Sequence, residues 1–373
     1  MFRYISFAVL VLVVLVYIDW HIRNIFSFYS IGKYKRFSIF FRILLFLASF
    51  VLIALYPPGV MIVLHFLGVF LVSDMIAFLT KRIRFHKQFT RGYRCIQFLC
   101  YGGIMQILIV ITMLGYGYYN ISYIKRTEYT IQTSKVSSDY QMVFISDTHY
   151  GTVQNPAVLK NAVEEIKDLE PDIVVLGGDI VEGGTSREEM EEVFQMIGAI
   201  ECRYGIYYVY GNHDRQQDRE QRTYTDEELE KAITKNGITI LKDNYVEIGS
   251  DLILAGRDDA EFGEEFRRLP AEKILNGADK ERYIIMLDHQ PVETAMNSKA
   301  GVDLQLSGHT HAGQAFPAGQ LLHFIGIPYY GEYQILDCKL LVSSGASVGV
   351  FPIRTEKHCE YALIDIKQNG TAN

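Results

Sequence analysis

Few tasks constrain a polypeptide more than crossing hydrocarbon, where every backbone N–H and C=O must be paired within the segment and an apolar run of ~20 residues reads as helix. Four such runs fall in the first third of this chain, roughly at residues 4–18, 37–56, 59–79 and 96–119. The first is short and follows Arg3, but Asp19-Trp20-His21 comes after it instead of a small-residue cleavage site, so it reads as a retained helix. Arg23, Lys33, Lys35 and Arg36 follow the first run. Lys81, Arg82, Arg84, Lys87, Arg91 and Arg94 follow the third, while the Pro57-Pro58 hairpin carries no basic residue. The positive-inside bias then places both basic loops in the cytoplasm and everything beyond the fourth run outside, in a multi-pass protein of the plasma membrane. Trp20 and the group Tyr116, Tyr118, Tyr119 stand where interfacial aromatics are expected. Arg42 and Asp74, inside the second and third runs, either pair at equal depth or snorkel separately to the cytoplasmic interface.

Charge divides the chain at the same place. Residues 1–126 hold 14 Lys and Arg against two acids, whereas the whole chain is −7, so the remainder is strongly acidic. A basic, apolar front and an acidic, mixed back indicate a membrane module joined to a soluble domain, and they exclude a nucleic-acid-binding face. The organisation expected is a four-span region over 1–125, a polar tether over 126–139 and a domain over 140–373. Among the five cysteines, Cys202, Cys338 and Cys359 leave room for one disulfide, without the paired spacing of a zinc or redox site.

From residue 140 short β-branched and aromatic runs alternate with amphipathic stretches, the pattern of a layered α/β fold. Strands are expected at 141–146, 173–176, 206–210, 252–255, 284–287, 304–306, 340–343 and 361–366, with helices at 156–169 and 186–197. Thr225-Asp-Glu-Glu228 is a capping box that opens a third helix running to about Asn236. Asp147, Asp179, Asn212, His289 and His309 each follow one of these strands directly or within three residues. Strand ends of open α/β sheets converge on one edge, where catalytic groups gather. Carboxylate and amide oxygens mixed with imidazoles suit Mn, Fe, Zn or Co better than calcium.

The ordered set Ser146-Asp147-Thr148-His149, Gly178-Asp179, Gly211-Asn212-His213-Asp214, His289 and Gly308-His309-Thr310-His311 resembles the calcineurin-like metallophosphoesterase superfamily. Ala312-Gly313-Gln314 and the stretch from Ser344-Gly345-Ala346 to Pro352-Ile353-Arg354 are similar to its membrane-associated or exported bacterial-type branch. The resemblance covers roughly 140–366 and implies a four-layered α/β/β/α sandwich with a binuclear metal centre. By it, Asp147, His149 and His311 hold one ion, Asn212, His289 and His309 the other, and Asp179 bridges both. His213 is implied to assist the leaving oxygen, with Glu182, three residues past the bridging Asp179, as its orienting partner. Asp214 reads as a turn cap, Asp288 as a surface acid, and Asp258-Asp259 as a turn.

The expected function is hydrolysis of a phosphodiester or phosphomonoester at the outer face of the membrane, with a lipid-linked ester as the preferred substrate and the bilayer as partner. Two alternatives remain open at this point: a pyrophosphatase of a nucleotide-linked lipid precursor of the UDP-diacylglucosamine type, and a non-catalytic membrane sensor or scaffold. Arg215, Arg219 and Arg222 read either as a second phosphate contact or as a solvated charged loop. The apolar segment from Phe316 to Tyr330 reads either as core or as a lip that takes acyl chains.

Overall fold

A computed structural model of the chain describes residues 14–26, 39–40, 43–44, 47, 57–83, 98–100, 102–217, 219–260, 268–349 and 351–369. They fall into two compact units, Met1–Tyr116 and Gly117–Asn373.

In the first unit, α1 covers residues 14–26 and α2 spans Pro57–Ile83. Helix α3, Ile104–Asn120, continues into the second unit. Among the described residues one helix, over Ile62–Leu79, is long and apolar enough to cross a membrane; Ile104–Asn120 is apolar but shorter. The four-span expectation is therefore supported at one run only, and most of the runs at 4–18 and 37–56 lies outside the described residues. Arg42 lies outside them too. Asp74 is held instead by α1, accepting from the Tyr17 hydroxyl at 2.6 Å and lying 3.0 Å from His21 Nε2. Gln106 on α3 donates to Ser73 Oγ at 3.1 Å and to the Leu99 and Cys100 carbonyls at 2.8 and 2.7 Å. An internal partner suits these groups, since an unsatisfied polar group in hydrocarbon costs several kcal/mol, on the order of ~2–7.

The second unit contains two six-stranded sheets. The first is built from β1 (Lys125–Thr133), β2 (Tyr140–Ile145), β3 (Ile173–Leu176), β4 (Ile206–Tyr208), β5 (Ile238–Ile240) and β12 (Glu360–Gln368), in the order β1-β12-β2-β3-β4-β5. The second uses β6 (Asn244–Ile248), β7 (Leu252–Gly256), β8 (Tyr283–Leu287), β9 (Leu304–Ser307), β10 (Gly331–Ile335) and β11 (Cys338–Val342), in the order β10-β11-β9-β8-β7-β6. β2 through β5 are parallel, as are β7, β8, β9 and β11.

Alternation along the strands sorts side chains into layers. Met142 and Phe144 of β2 pack with Leu252, Leu254, Ile285 and Leu306 between the sheets. Their neighbours Val143 and Ile145 face the opposite way, against Leu159, Val163 and Ile166 of α4 (Pro156–Asp168) and Val193 and Phe194 of α5 (Arg187–Gly198). On the far side of the second sheet, Ile253, Ile284 and Met286 meet Ala271 and Ile274 of α7 (Ala271–Ile274). The order is thus helices, sheet, sheet, helices. Each fully buried aliphatic side chain contributes roughly 1.5–3 kcal/mol, so strands this apolar are fixed in register from both faces. Helix α6 (Asp226–Lys235) starts at the expected capping box, with Thr225 and Glu228 bonding reciprocally.

Two expectations need correction, and one open point is settled. Residues 126–139 are not a simple tether, because β1 pairs in parallel with β12 along nine positions. It is an edge strand of which only Ile131 is buried, and its polar composition concealed its alternation. β5, β6 and β10 were also missed, being short and half-exposed. Cys202, Cys338 and Cys359 are free thiols, so no disulfide joins them.

Candidate metal centre

The strand ends deliver the site. Asp147 follows β2, Asp179 follows β3 after Gly177-Gly178, Asn212 follows β4, and His289 and His309 follow β8 and β9. Five of the candidate site residues depart from ordinary backbone geometry: Asp147 (φ 52°), His149 (41°), Asp179 (52°), His309 (68°) and His311 (49°) are all left-handed. Such conformations cost on the order of 1–3 kcal/mol each and persist where the surroundings over-determine them. Here the loops bond to one another: Asp147 N–H donates to Gly178 O at 3.0 Å and His149 N–H to Asp179 O at 3.1 Å. The close approach needs glycine. A Cβ on Gly211 would collide with Asp179, and one on Gly308 with the Asp147 carboxylate.

Two groups of donors result, each with its candidate ligand atoms within 4.8 Å of one another: Asp147, His149 and His311 in one, Asp179, His289 and His309 in the other. Asp179 lies between them, its Oδ2 3.1 Å from His289 Nε2 and 3.9 Å from His149 Nε2. Asn212 joins the second group through Oδ1, 3.0 Å from His309 Nδ1. His149 Nε2 and His311 Nε2 face each other at 3.1 Å. Bond lengths near 2.1 Å place neighbouring ligand atoms about 3.0–3.4 Å apart, so these spacings fit a shared cation. His289 supplies the clearest sign: its buried Nε2 faces the Asp179 carboxylate at 3.1 Å without hydrogen-bond geometry, while its Nδ1 lies 2.8 Å from Gly177 O. The carbonyl fixes the proton on Nδ1 and leaves the Nε2 lone pair for a metal.

The electrostatics agree. Burial works against charge on Asp179, but His289, His149 and His213 outweigh it and hold its carboxyl far below the usual range. Burial likewise opposes protonation of His149 and His289, and the carboxylates around them reverse the sign, raising both. A cation can take over the charge balance that those protons supply. His311 goes the other way, pushed down to about 3 by burial, with Asp147 opposing and His149 and Arg354 adding to the drop.

Three residues sit differently from expectation. Glu182 does not bond to His213; its Oε2 is 3.0 Å from His149 Nδ1. Burial would raise its pKa, and His149 with His213 nearby lowers it. Asp214 is more than a turn cap: fully buried, it accepts from the amides of Asp179, Ile180, Val181 and Gly211 at 2.7–3.1 Å. Burial and the Asp179 charge, opposed by the Gly211 and Val181 amides, push it up to about 6. Asp288 is no surface acid, being fully buried against Arg268 at 2.7 Å and Arg257 at 3.2 Å. Asp258-Asp259 does lie in a buried loop, where Asp258 pairs with Arg215 at 3.0 Å and Asp259 accepts from Gln290. Arg215 also stacks over Tyr210, and Arg222 pairs with Asp226, so both are engaged within the fold.

His213 stands outside both donor groups. Its amide donates to Asp179 Oδ1 at 2.8 Å, and its ring lies edge-on to His149 at 5.5 Å. Arg354 is a residue whose role the sequence did not reveal. Fully buried, it donates to the His311 carbonyl at 3.1 Å and its Nη2 lies 3.4 Å from His311 Nδ1. No spacing rule signals it, since it reaches the site from 43 residues away in sequence.

Residues 140–313 match the calcineurin-like phosphoesterase family. The transmembrane protein with metallophosphoesterase domain of Danio rerio is 30% identical over 246 residues, covering 61% of this chain and 53% of that protein. The chain thus spans about half the length of that relative. An uncharacterized metallophosphoesterase of Aquifex aeolicus (strain VF5) is 28% identical over 274 residues, 71% of this chain and 100% of the relative. Among solved structures, TT1561 of Thermus thermophilus overlays with a TM-score of 0.38 at 15% identity, covering 56% of this chain and 91% of that one. The apolar helix and the transmembrane relatives point to membrane association. Residues 140–313 thus carry a calcineurin-like phosphoesterase domain, in keeping with the relatives named metallophosphoesterases.

Proposed function

We propose that the protein is a membrane-anchored phosphoesterase that hydrolyses a lipid-linked phosphodiester or phosphomonoester at the outer face of the membrane. The observation that carries the hydrolytic reading is the position of Asp179 between two donor groups, with one carboxylate oxygen within 3.9 Å of a histidine from each. Asp147, His149 and His311 would hold one divalent ion, and Asn212, His289 and His309 the other. When bound, such a pair supplies Lewis acidity at the phosphoryl oxygens and an activated water.

The chain's own residues do the rest. Glu182 holds the His149 ring in its tautomer, and the Gly177 carbonyl does so for His289. Asp214 gathers four amides and so fixes the loop that presents Asp179. His213, free of both groups and partly exposed, is placed to give a proton to the departing oxygen. Burial of Asp147, His149 and Asp179 keeps bulk water from competing at the ligands.

Support for the outer face comes from the basic residues flanking the first and third apolar runs. A cysteine in place of exposed Ser134 should react with an impermeant thiol reagent in intact cells, and one in place of Lys87 should not. Turnover is tested with the purified full-length chain loaded with Mn, Fe, Zn or Co against water-soluble and bilayer-presented phosphoesters. The proposal expects metal-dependent release, greatest for bilayer-presented esters. Turnover with no metal in the panel would overturn it.

A further inference from the structure

The segment after the last metal-site histidine ends in α9 (Ala318–Phe324), which shows large apolar side chains to solvent. Phe324 is 87% exposed, Ile325 65% and Leu321 61%, with Phe316 and Ile327 exposed beside them. Five large exposed hydrophobic residues within twelve positions are a concentration of the kind that marks a protein or membrane contact. The core reading of this segment therefore fails for these residues, although Gly319 is buried against Glu356 and Tyr329.

What lies beneath the patch identifies its occupant. Its base is fastened to a short strap, residues 353–357. Gln314 Nε2 donates to Ile353 O at 3.1 Å, Thr355 N–H to Gln314 O at 3.0 Å, Phe316 N–H to Thr355 Oγ1 at 3.0 Å, and Gly319 N–H to Glu356 Oε2 at 3.0 Å. The other edge of the same strap holds the end of the apolar helix α3. Arg354 N–H donates to Gly117 O at 3.0 Å, Asn120 Nδ2 donates to Arg354 O at 3.1 Å, and Asn120 also bonds to Lys357 O. Arg354 and Thr355 are consecutive, about 3.8 Å apart along the chain, so the base of the patch and the end of the apolar helix share one support. That helix end is ringed by Tyr118 and Tyr119, 69% and 63% exposed, as interfacial aromatics are.

From this continuity we infer that Phe316–Ile327 is a membrane-contacting lip that seats its apolar face in the headgroup and acyl boundary of the bilayer carrying the chain. The same strap then ties bilayer contact to the site, because Arg354 donates to the His311 carbonyl. The inference rests on membrane association of the first unit and not on turnover.

Trp20 is the chain's single tryptophan, which makes fluorescence selective. The full-length protein is reconstituted in phosphatidylcholine vesicles brominated near the headgroup end of the acyl chains. Three forms are compared: the natural chain, Trp20→Phe/Phe324→Trp, and Trp20→Phe/Met296→Trp, Met296 being 67% exposed on α8 (Thr294–Lys299), outside the lip. A lip lying ~5–10 Å into the boundary loses at least roughly half its emission at position 324 while position 296 does not. Ile325→Trp provides a second reporter should the first variant misfold. Quenching of Trp20 with position 324 behaving like 296 would overturn the inference alone. No quenching of Trp20 or of position 324 would also remove the membrane reading beneath it. A blue-shifted but unquenched tryptophan at 324 would overturn it in favour of a protein cover, a second copy or a separate partner.

Discussion

The two donor groups of the site contain nearly the same residue types but are supported differently. In the first, His149 is backed by the Glu182 carboxylate and His311 by the Arg354 guanidinium. In the second, His289 is backed by a backbone carbonyl, and Asn212 Oδ1 stands 3.0 Å from His309 Nδ1 as a further donor. A carboxylate partner raises the basicity of its histidine, whereas a neighbouring cation lowers that of the other. The first group therefore depends on side chains that substitution can remove. In the second, main chain holds His289, which is fully buried. Similar donors can make two groups whose robustness differs, and Asp179 is the carboxylate that approaches a histidine of each.

Removing that shared residue is expected to have the largest effect. Asp179→Asn should lose metal from both groups and abolish turnover, read by metal analysis of the purified variant. Two retained ions with full activity would break the comparison outright.

Next in size is His213→Ala. A positioned acid is worth ~10²–10⁴ in rate, and its benefit depends on how much the leaving oxygen needs a proton. The variant should slow an alkyl phosphoester by that factor, a nitrophenyl ester far less, and keep both metals. Equal losses on the two substrates would reassign the residue to charge stabilisation.

The expectation for Glu182 changes with its observed partner. Since it contacts His149, Glu182→Gln should weaken the first group about 10–100-fold, the usual scale for a second partner of a ligating histidine, and leave the second group intact. Leaving-group selectivity like that of His213→Ala would restore the sequence-based assignment. The smallest effect is expected from Asn212→Ala, which should loosen only the second group, seen as one ion lost first during titration with a chelator.

The sequence made the site legible because its chemistry is punctuated by strands. Ile173–Leu176 is observed with the bounds expected, and the carboxylates and histidines follow strand ends, where a period-two pattern gives way to Gly and Asp. Pairings between loops were not legible. Nothing local tells whether Glu182 turns toward His149 or His213, because both are distant in sequence and lie on other loops, His149 being 33 residues away. Asp214 carried the Gly-Asn-His-Asp motif signal, yet its real partners are amides on another loop. β1 was hidden for a simpler reason: an edge strand buries little, so its alternation is written in Thr and Tyr and not in Val and Leu.

We propose that one carboxylate, Asp179, joins two metal subsites. Anomalous diffraction from crystals of the Mn-loaded protein tests it most directly. Two peaks about 3.5–4 Å apart are expected, one against Asp147, His149 and His311, the other against Asn212, His289 and His309, with the Asp179 carboxylate between them. A single peak, or two peaks that do not share Asp179, would contradict it.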